Sequence, residues 1–225
     1  MAQVDFAERQ VTLKIVYYGP PLSGKTSNLR NLHGRVDAAG RGRLVTIDTR
    51  EDRTLFFDLL PLFFRGSGFS FRVKVYTVPG QTAHEATRRV VLHGADGVVF
   101  VADSCPSQVD HNRSAWQNLQ RNLMGAGLNV PVVVQYNKRD LVDAVDWANI
   151  DRFADAPHQF DGVITEKTFL PASALAGQGV VETFLAITAA VWQELDKQLD
   201  LTARFAISRA AFIEGISAQM GGAAT

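Results

Sequence analysis

Two uninterrupted apolar runs, Val98-Val99-Phe100-Val101 and Val132-Val133-Val134, constrain this chain more than any other feature. A strand with one wet face alternates apolar and polar residues, whereas a strand with no polar position has both faces covered. That is the habit of a parallel sheet held between helix layers. The runs lie in two of the seven strands predicted, at Val11–Tyr18, Leu44–Asp48, Thr54–Leu62, Phe69–Val78, Gly97–Asp103, Val130–Asn137 and Phe169–Ala172, several of them separated by helical stretches. The fold class that follows is α/β: a mixed, mostly parallel sheet with helices on both faces.

Thr54–Leu62 and Phe69–Val78 are joined by a segment holding Gly66 and Gly68, which permit a reversal, so an antiparallel hairpin is predicted. Pro61 cannot donate to a ladder and places the first of these strands at an edge. Helical spacing is clearest in Val180, Phe184, Ile187, Val191 and Leu195 and in Trp116, Leu119 and Leu123, two stripes read as core. After Leu195, the apolar positions Leu201, Phe205, Phe212 and Ile216 predict an extra amphipathic C-terminal helix. The expected division is residues 1–195 as the main domain and 196–225 as a helical extension with a short tail.

With 225 residues, 46% hydrophobic, the chain can bury one sizeable core, and it contains no internal repeat. A formal net charge of zero, without long runs of like charge, implies neither nucleic acid nor an acidic membrane surface as main partner. The lone Cys105 excludes an intramolecular disulfide framework, and no basic-then-apolar leader is present, so the expected compartment is the cytoplasm. No apolar run is long enough to span a bilayer and no lipidation cysteine ends the chain, so no stable membrane anchor is expected. Five histidines show no paired ligand spacing with one another or with Cys105, which argues against a transition-metal site.

Where the strand at Tyr18 stops, Gly19-Pro20-Pro21-Leu22-Ser23-Gly24-Lys25-Thr26 fits a phosphate-binding loop, followed by a helix predicted over Lys25–His33. Its end glycines let successive backbone N–H groups turn onto phosphate oxygens, and the helix points its positive end there. Lys25 would reach the outer phosphates and Thr26 a magnesium ion.

Such a loop leaves kinases, ATPases and GTPases open, but Asn137-Lys138-Arg139-Asp140 follows an apolar strand where a base-reading loop belongs. Asp140 can accept from the guanine N1–H and exocyclic amine, a pattern adenine lacks, while Asn137 braces the site and Lys138 covers the ring. An ATP-using kinase conflicts with this segment. Pro171-Ala172-Ser173-Ala174-Leu175 matches the short loop that offers backbone N–H groups, at Ser173 and Ala174, to the guanine carbonyl. In Thr77-Val78-Pro79-Gly80-Gln81, Gly80 can present an N–H to the γ-phosphate and Gln81 can orient the attacking water; Arg53-Thr54 sits where a mobile loop would close over the phosphates.

These elements, in this order, resemble the small Ras-like GTPases. The stretches Lys14–Pro20, Asp52–Asp58, Tyr76–Gln81, Gly97–Ser104 and Gln135–Leu141 narrow the resemblance to the bacterial MglA family, over roughly Val4 to Leu195. The resemblance implies a polarity or gliding-motility switch that uses GTP/GDP and Mg²⁺. It further implies slow hydrolysis, polar placement in the cell, downstream effectors, and a dimeric Roadblock-domain activating protein as partner. It also implies that Arg53 is an arginine finger supplied in cis and that Thr54 is the switch threonine on magnesium.

Two departures leave a second reading open. Most Ras-like proteins have aspartate where this chain has Thr77, so the contact that residue makes to the magnesium shell must come from elsewhere or be absent. Pro21 replaces a glycine usual in the resembled family and removes an N–H beside the γ-phosphate. A GTP-binding scaffold with little or no hydrolysis is the alternative. Arg53 can equally be a solvated loop arginine, and Gln81 simply exposed. Asp58 and Asp103 can approach a magnesium shell or merely cap a helix or end a strand, and neither is placed in the site.

Overall fold

A computed structural model describes residues 2–48, 56–66, 68–80, 84–141, 169–205 and 207–220. Eight strands form one sheet: β1 (Gln3–Asp5), β2 (Gln10–Tyr18), β3 (Val45–Asp48), β4 (Phe56–Gly66), β5 (Phe69–Thr77), β6 (Gly97–Asp103), β7 (Val132–Asn137) and β8 (Phe169–Pro171). The order is β3-β4-β5-β2-β6-β7-β8, with β1 paired antiparallel to β2. From β5 to β8 all neighbours run parallel, while β4 runs antiparallel to both β3 and β5.

The apolar runs behave as predicted: every residue of β6 and β7 is buried. On one face of the sheet lie α1 (Lys25–Arg35) and α4 (Val180–Leu199), and on the other α2 (Glu85–Leu92) and α3 (Val109–Gly125). Leu29, Leu32, Phe184, Ile187 and Val191 join Leu13, Ile15 and Val73 in the first core; Trp116, Leu119 and Leu123 join Val16, Val98 and Phe100 in the second. Both helical stripes read from the sequence are buried, and β5 alternates as expected, with Phe69, Phe71, Val73 and Val75 inward.

Several expectations change. Pro61 does not mark the sheet edge, because β3 lies outside β4. It pairs only with Phe56–Leu59, however, so Pro61 sits just past its end and still contributes its carbonyl, to the N–H of Gly42 at 2.8 Å. The hairpin's first strand runs on to Gly66 instead of stopping at Leu62, since Phe64 keeps its ring in the core. Short β1 and α2 carried too few periodic positions to be predicted.

The C-terminal part folds as two helices, α5 (Leu201–Phe205) and α6 (Arg209–Ala218), not one. Helix α4 runs unbroken past residue 195 and ends at Asp200 in the left-handed region, φ 53°. Asp196 then accepts from the N–H and hydroxyl of Thr202 at 2.7 and 2.8 Å, which redirects the chain. Ser208 caps α6 by accepting from the Ala211 N–H. Phe212 stacks on Trp192 at a centroid distance of 4.5 Å and meets Phe71 edge-on at 4.6 Å, so the last helix closes the first core. Among the described residues, no helix is long and apolar enough to cross a membrane.

Candidate guanine-nucleotide site

The phosphate loop leaves β2 through Gly19 and enters α1 through Gly24, at φ 146° and 100°, conformations that ordinary residues resist. Side chains would also collide: a Cβ on Gly19 would strike the carbonyl of Val101, and one on Gly24 the amide of Asn137. Ser23 is buried, while Pro21 and Leu22 are exposed. Lys25 is 7% exposed and its ammonium donates to the carbonyls of Gly19 and Pro20 at 3.0 and 2.6 Å. Burial, with the Arg88 guanidinium nearby, pulls its pKa down to about 7. A cation so poorly solvated gains most when a phosphate arrives beside it.

At the far end of the loop Asn137 joins two segments remote in sequence. Its Nδ2 donates to the carbonyl of Ser23 and its Oδ1 accepts from the N–H of Ala174, both at 2.7 Å. Phosphate loop, base-reading strand and the Ser173–Ala174 turn are thereby one assembly, with Ser173 and Ala174 buried and Asp140 exposed beside them. Lys138, at φ 67°, turns its ammonium to Asp103 at 2.5 Å. Asp103 thus ends its strand as a buried ion-pair partner.

Thr26 lines a cavity of about 440 Å³ with Lys25, Asp58, Thr77 and Gly80. Asp58, 6% exposed, accepts from Thr26 Oγ1 at 2.7 Å and Thr77 Oγ1 at 3.0 Å on one carboxylate oxygen, and from Thr46 at 2.8 Å on the other. The carboxylate missing at Thr77 is supplied from the neighbouring strand. Hairpin register explains it: Gly66 pairs with Phe69 and Leu59 with Tyr76, so Asp58 falls opposite Thr77. Only with that register in hand does counting back from the turn arrive at Asp58, which the sequence reading left out of the site. A carboxylate beside a threonine hydroxyl is an oxygen-only donor set that suits Mg²⁺.

Sequence reading also missed Arg88 on α2. Its side chain is almost fully buried and donates to the carbonyls of Pro79 and Gly80 at 2.9 and 2.6 Å and to Asn118 at 2.8 Å. Gly80 packs so closely on Pro20 and Pro21 that a Cβ there would overlap their backbone. Arg53, Thr54 and Gln81 lie outside the described residues.

A phosphate loop braced by a guanine-reading loop, on a mixed sheet between helix layers, defines a small GTPase of the Ras type. No family model matches the chain. It is 42% identical over 201 residues to the Mutual gliding-motility protein MglA of Myxococcus xanthus, an alignment spanning 88% of this chain and 99% of that relative. It is 28% identical over 131 residues to Ras-related protein Rab-4B of Homo sapiens, spanning 57% of each. The chain belongs to the MglA family of Ras-like GTPases, and is a binder of GTP and GDP.

Proposed function

We propose that this GTPase is a cytoplasmic polarity or gliding-motility switch that hydrolyses GTP slowly and is stimulated by a dimeric Roadblock-domain protein. The motility role rests on its similarity to the Myxococcus relative, and the partner on the resemblance read from the sequence. One observation carries the nucleotide mechanism: Asn137 holds the phosphate loop and the base-reading turn together, with Asp58 and Thr26 side by side at the phosphate end.

Residues 19–26 cradle the phosphates, with Lys25 on the outer ones. Asn137, Lys138, Asp140, Ser173 and Ala174 hold the guanine. Thr26 and Thr54 would ligate Mg²⁺, with Asp58 orienting the Thr26 hydroxyl. When bound there, the ion would neutralise charge on the phosphate oxygens. Gly80 donates its N–H to the γ-phosphate and Gln81 orients water. Arg53 neutralises charge developing in the transition state, an effect worth about a thousandfold or more.

The test is single-turnover GTP hydrolysis with and without a Roadblock-domain protein, for the unaltered chain and Arg53→Ala. A partner-stimulated burst that Arg53→Ala nearly abolishes, with GTP binding retained, is the expected result. Turnover unchanged by the substitution removes the finger role. The scaffold alternative keeps one observation in its favour, the contact of Gly80 against Pro21. Phosphate release at background even with the partner would establish it.

A further inference from the structure

Beneath the nucleotide site two amides face each other with no exposure to solvent, Asn28 on α1 and Gln135 on β7. Asn28 Nδ2 donates to Gln135 Oε1 at 2.8 Å and Gln135 Nε2 donates to Asn28 Oδ1 at 2.9 Å, a reciprocal pair. Each amide uses its second hydrogen to reach further. Asn28 donates to the carbonyl of Gly24 at 3.0 Å, and Gln135 to Thr183 Oγ1 at 2.9 Å. Thr183 donates in turn to the carbonyl of Gly179, where α4 begins, at 2.6 Å.

The ends of this chain of bonds matter. Gly24 is the hinge between phosphate loop and α1. Gln135 lies two residues before Asn137 on the same face of β7. Gly179 follows the small loop closed by the paired Ser173 and Gln178 backbones. Apolar residues would fill this space at little or no cost, because a buried amide pair adds only about 1 kcal/mol per bond over its hydrated state. Apolar contacts, however, slide, whereas four directional bonds permit one register.

We infer that Asn28 and Gln135 are positioning residues that set the distance between the phosphate-binding and guanine-binding halves of the site. This rests on the guanine-nucleotide reading above and deepens it. GDP is a two-point ligand: its diphosphate meets the α1 end and its base the β7 end. Its affinity depends on the spacing of the two, whereas guanosine engages one half only.

The variant Asn28→Ala/Gln135→Leu removes both amides and orphans nothing, since the Gly24 carbonyl keeps the Asn28 N–H at 3.0 Å and Thr183 keeps Gly179. Release of mant-GDP is expected to be at least tenfold faster, with guanosine affinity, read by competition, within about threefold of the unaltered protein. The exchanged pair Asn28→Gln/Gln135→Asn is expected to restore much of the GDP retention. Unchanged mant-GDP release from the folded double variant overturns the inference. So does an equal loss of guanosine, which marks an ordinary packing defect. If the double variant does not fold, Thr183→Val weakens the network alone. It should speed GDP release about threefold while sparing guanosine, and an unchanged rate overturns the inference. Failure of the unaltered protein to bind mant-GDP overturns the nucleotide reading itself, and this inference with it.

Discussion

Asp58 Oδ2 stands 2.7 Å from the hydroxyl of Thr26, a contact between β4 and the first turn of α1 made by residues 32 apart in the chain. It gives the phosphate end of the site a carboxylate that Thr77 lacks. The Asp58→Asn variant keeps shape and removes charge. Nucleotide release in Mg²⁺ should quicken about 10- to 100-fold, the usual loss when a partner behind a metal ligand is removed. In excess EDTA variant and unaltered protein should release nucleotide at the same rate. Equal rates in Mg²⁺ as well would separate Asp58 from the metal.

Lys25 is expected to make nucleotide binding pH-dependent. Its pKa, about 7 against an ordinary 10.5, is depressed first by burial and then by Arg88. Between those values the unfolded chain holds a proton that the folded one has shed, so the stability of the free protein rises with pH through this window. The burial cost is fully present below about 7. A phosphate beside the amine restores its charge, so binding takes up about one proton and affinity falls as pH climbs above 7. Titration calorimetry at pH 8.5 in two buffers of different ionisation enthalpy reads this directly. Identical heats would remove Lys25 from the phosphate role.

Gly24 combines a left-handed backbone with the amide of Asn137 at its back. Gly24→Ala must strain the backbone, at about 1–3 kcal/mol, and displace the Asn137 side chain from Ser23. Mant-GDP affinity is expected to fall at least tenfold. Retained affinity would mean that the brace between the two loops is dispensable.

Phe212 tests whether residues beyond 195 are an appendage. Its ring is 2% exposed, between Trp192 and Phe71. Phe212→Ala should cost about 3–5 kcal/mol, lowering the melting temperature by on the order of 10 °C. Thermal unfolding followed by circular dichroism checks it. A shift under about 2 °C would make the last helix a detachable extension.

The sheet was legible in the sequence where burial on both faces left an unbroken apolar run, as at β6 and β7, and where a strict alternation marked one wet face, as in β5. It was poorly legible where an element is short, as in β1 and α2, or where a pattern ran on through a turn, as at Asp200. Local spacing alone marked the phosphate loop, Asn137 to Asp140 and the Ser173–Ala174 turn as candidates, because each is a short contiguous segment whose residue types carry its chemistry. Asp58, Arg88, Asn28 and Gln135 have no such local signature: each matters through a partner on another element.

By itself the sequence determined the fold class and the nucleotide class and marked where phosphate and base are expected to be read, since periodicity and motif spacing are local properties. Tertiary structure alone decided which carboxylate stands at Thr26, what clasps the Pro79–Gly80 loop and how the two halves of the site are kept in register. Hairpin register and helix docking bring those side chains together, and neither can be expressed in any one segment of the chain.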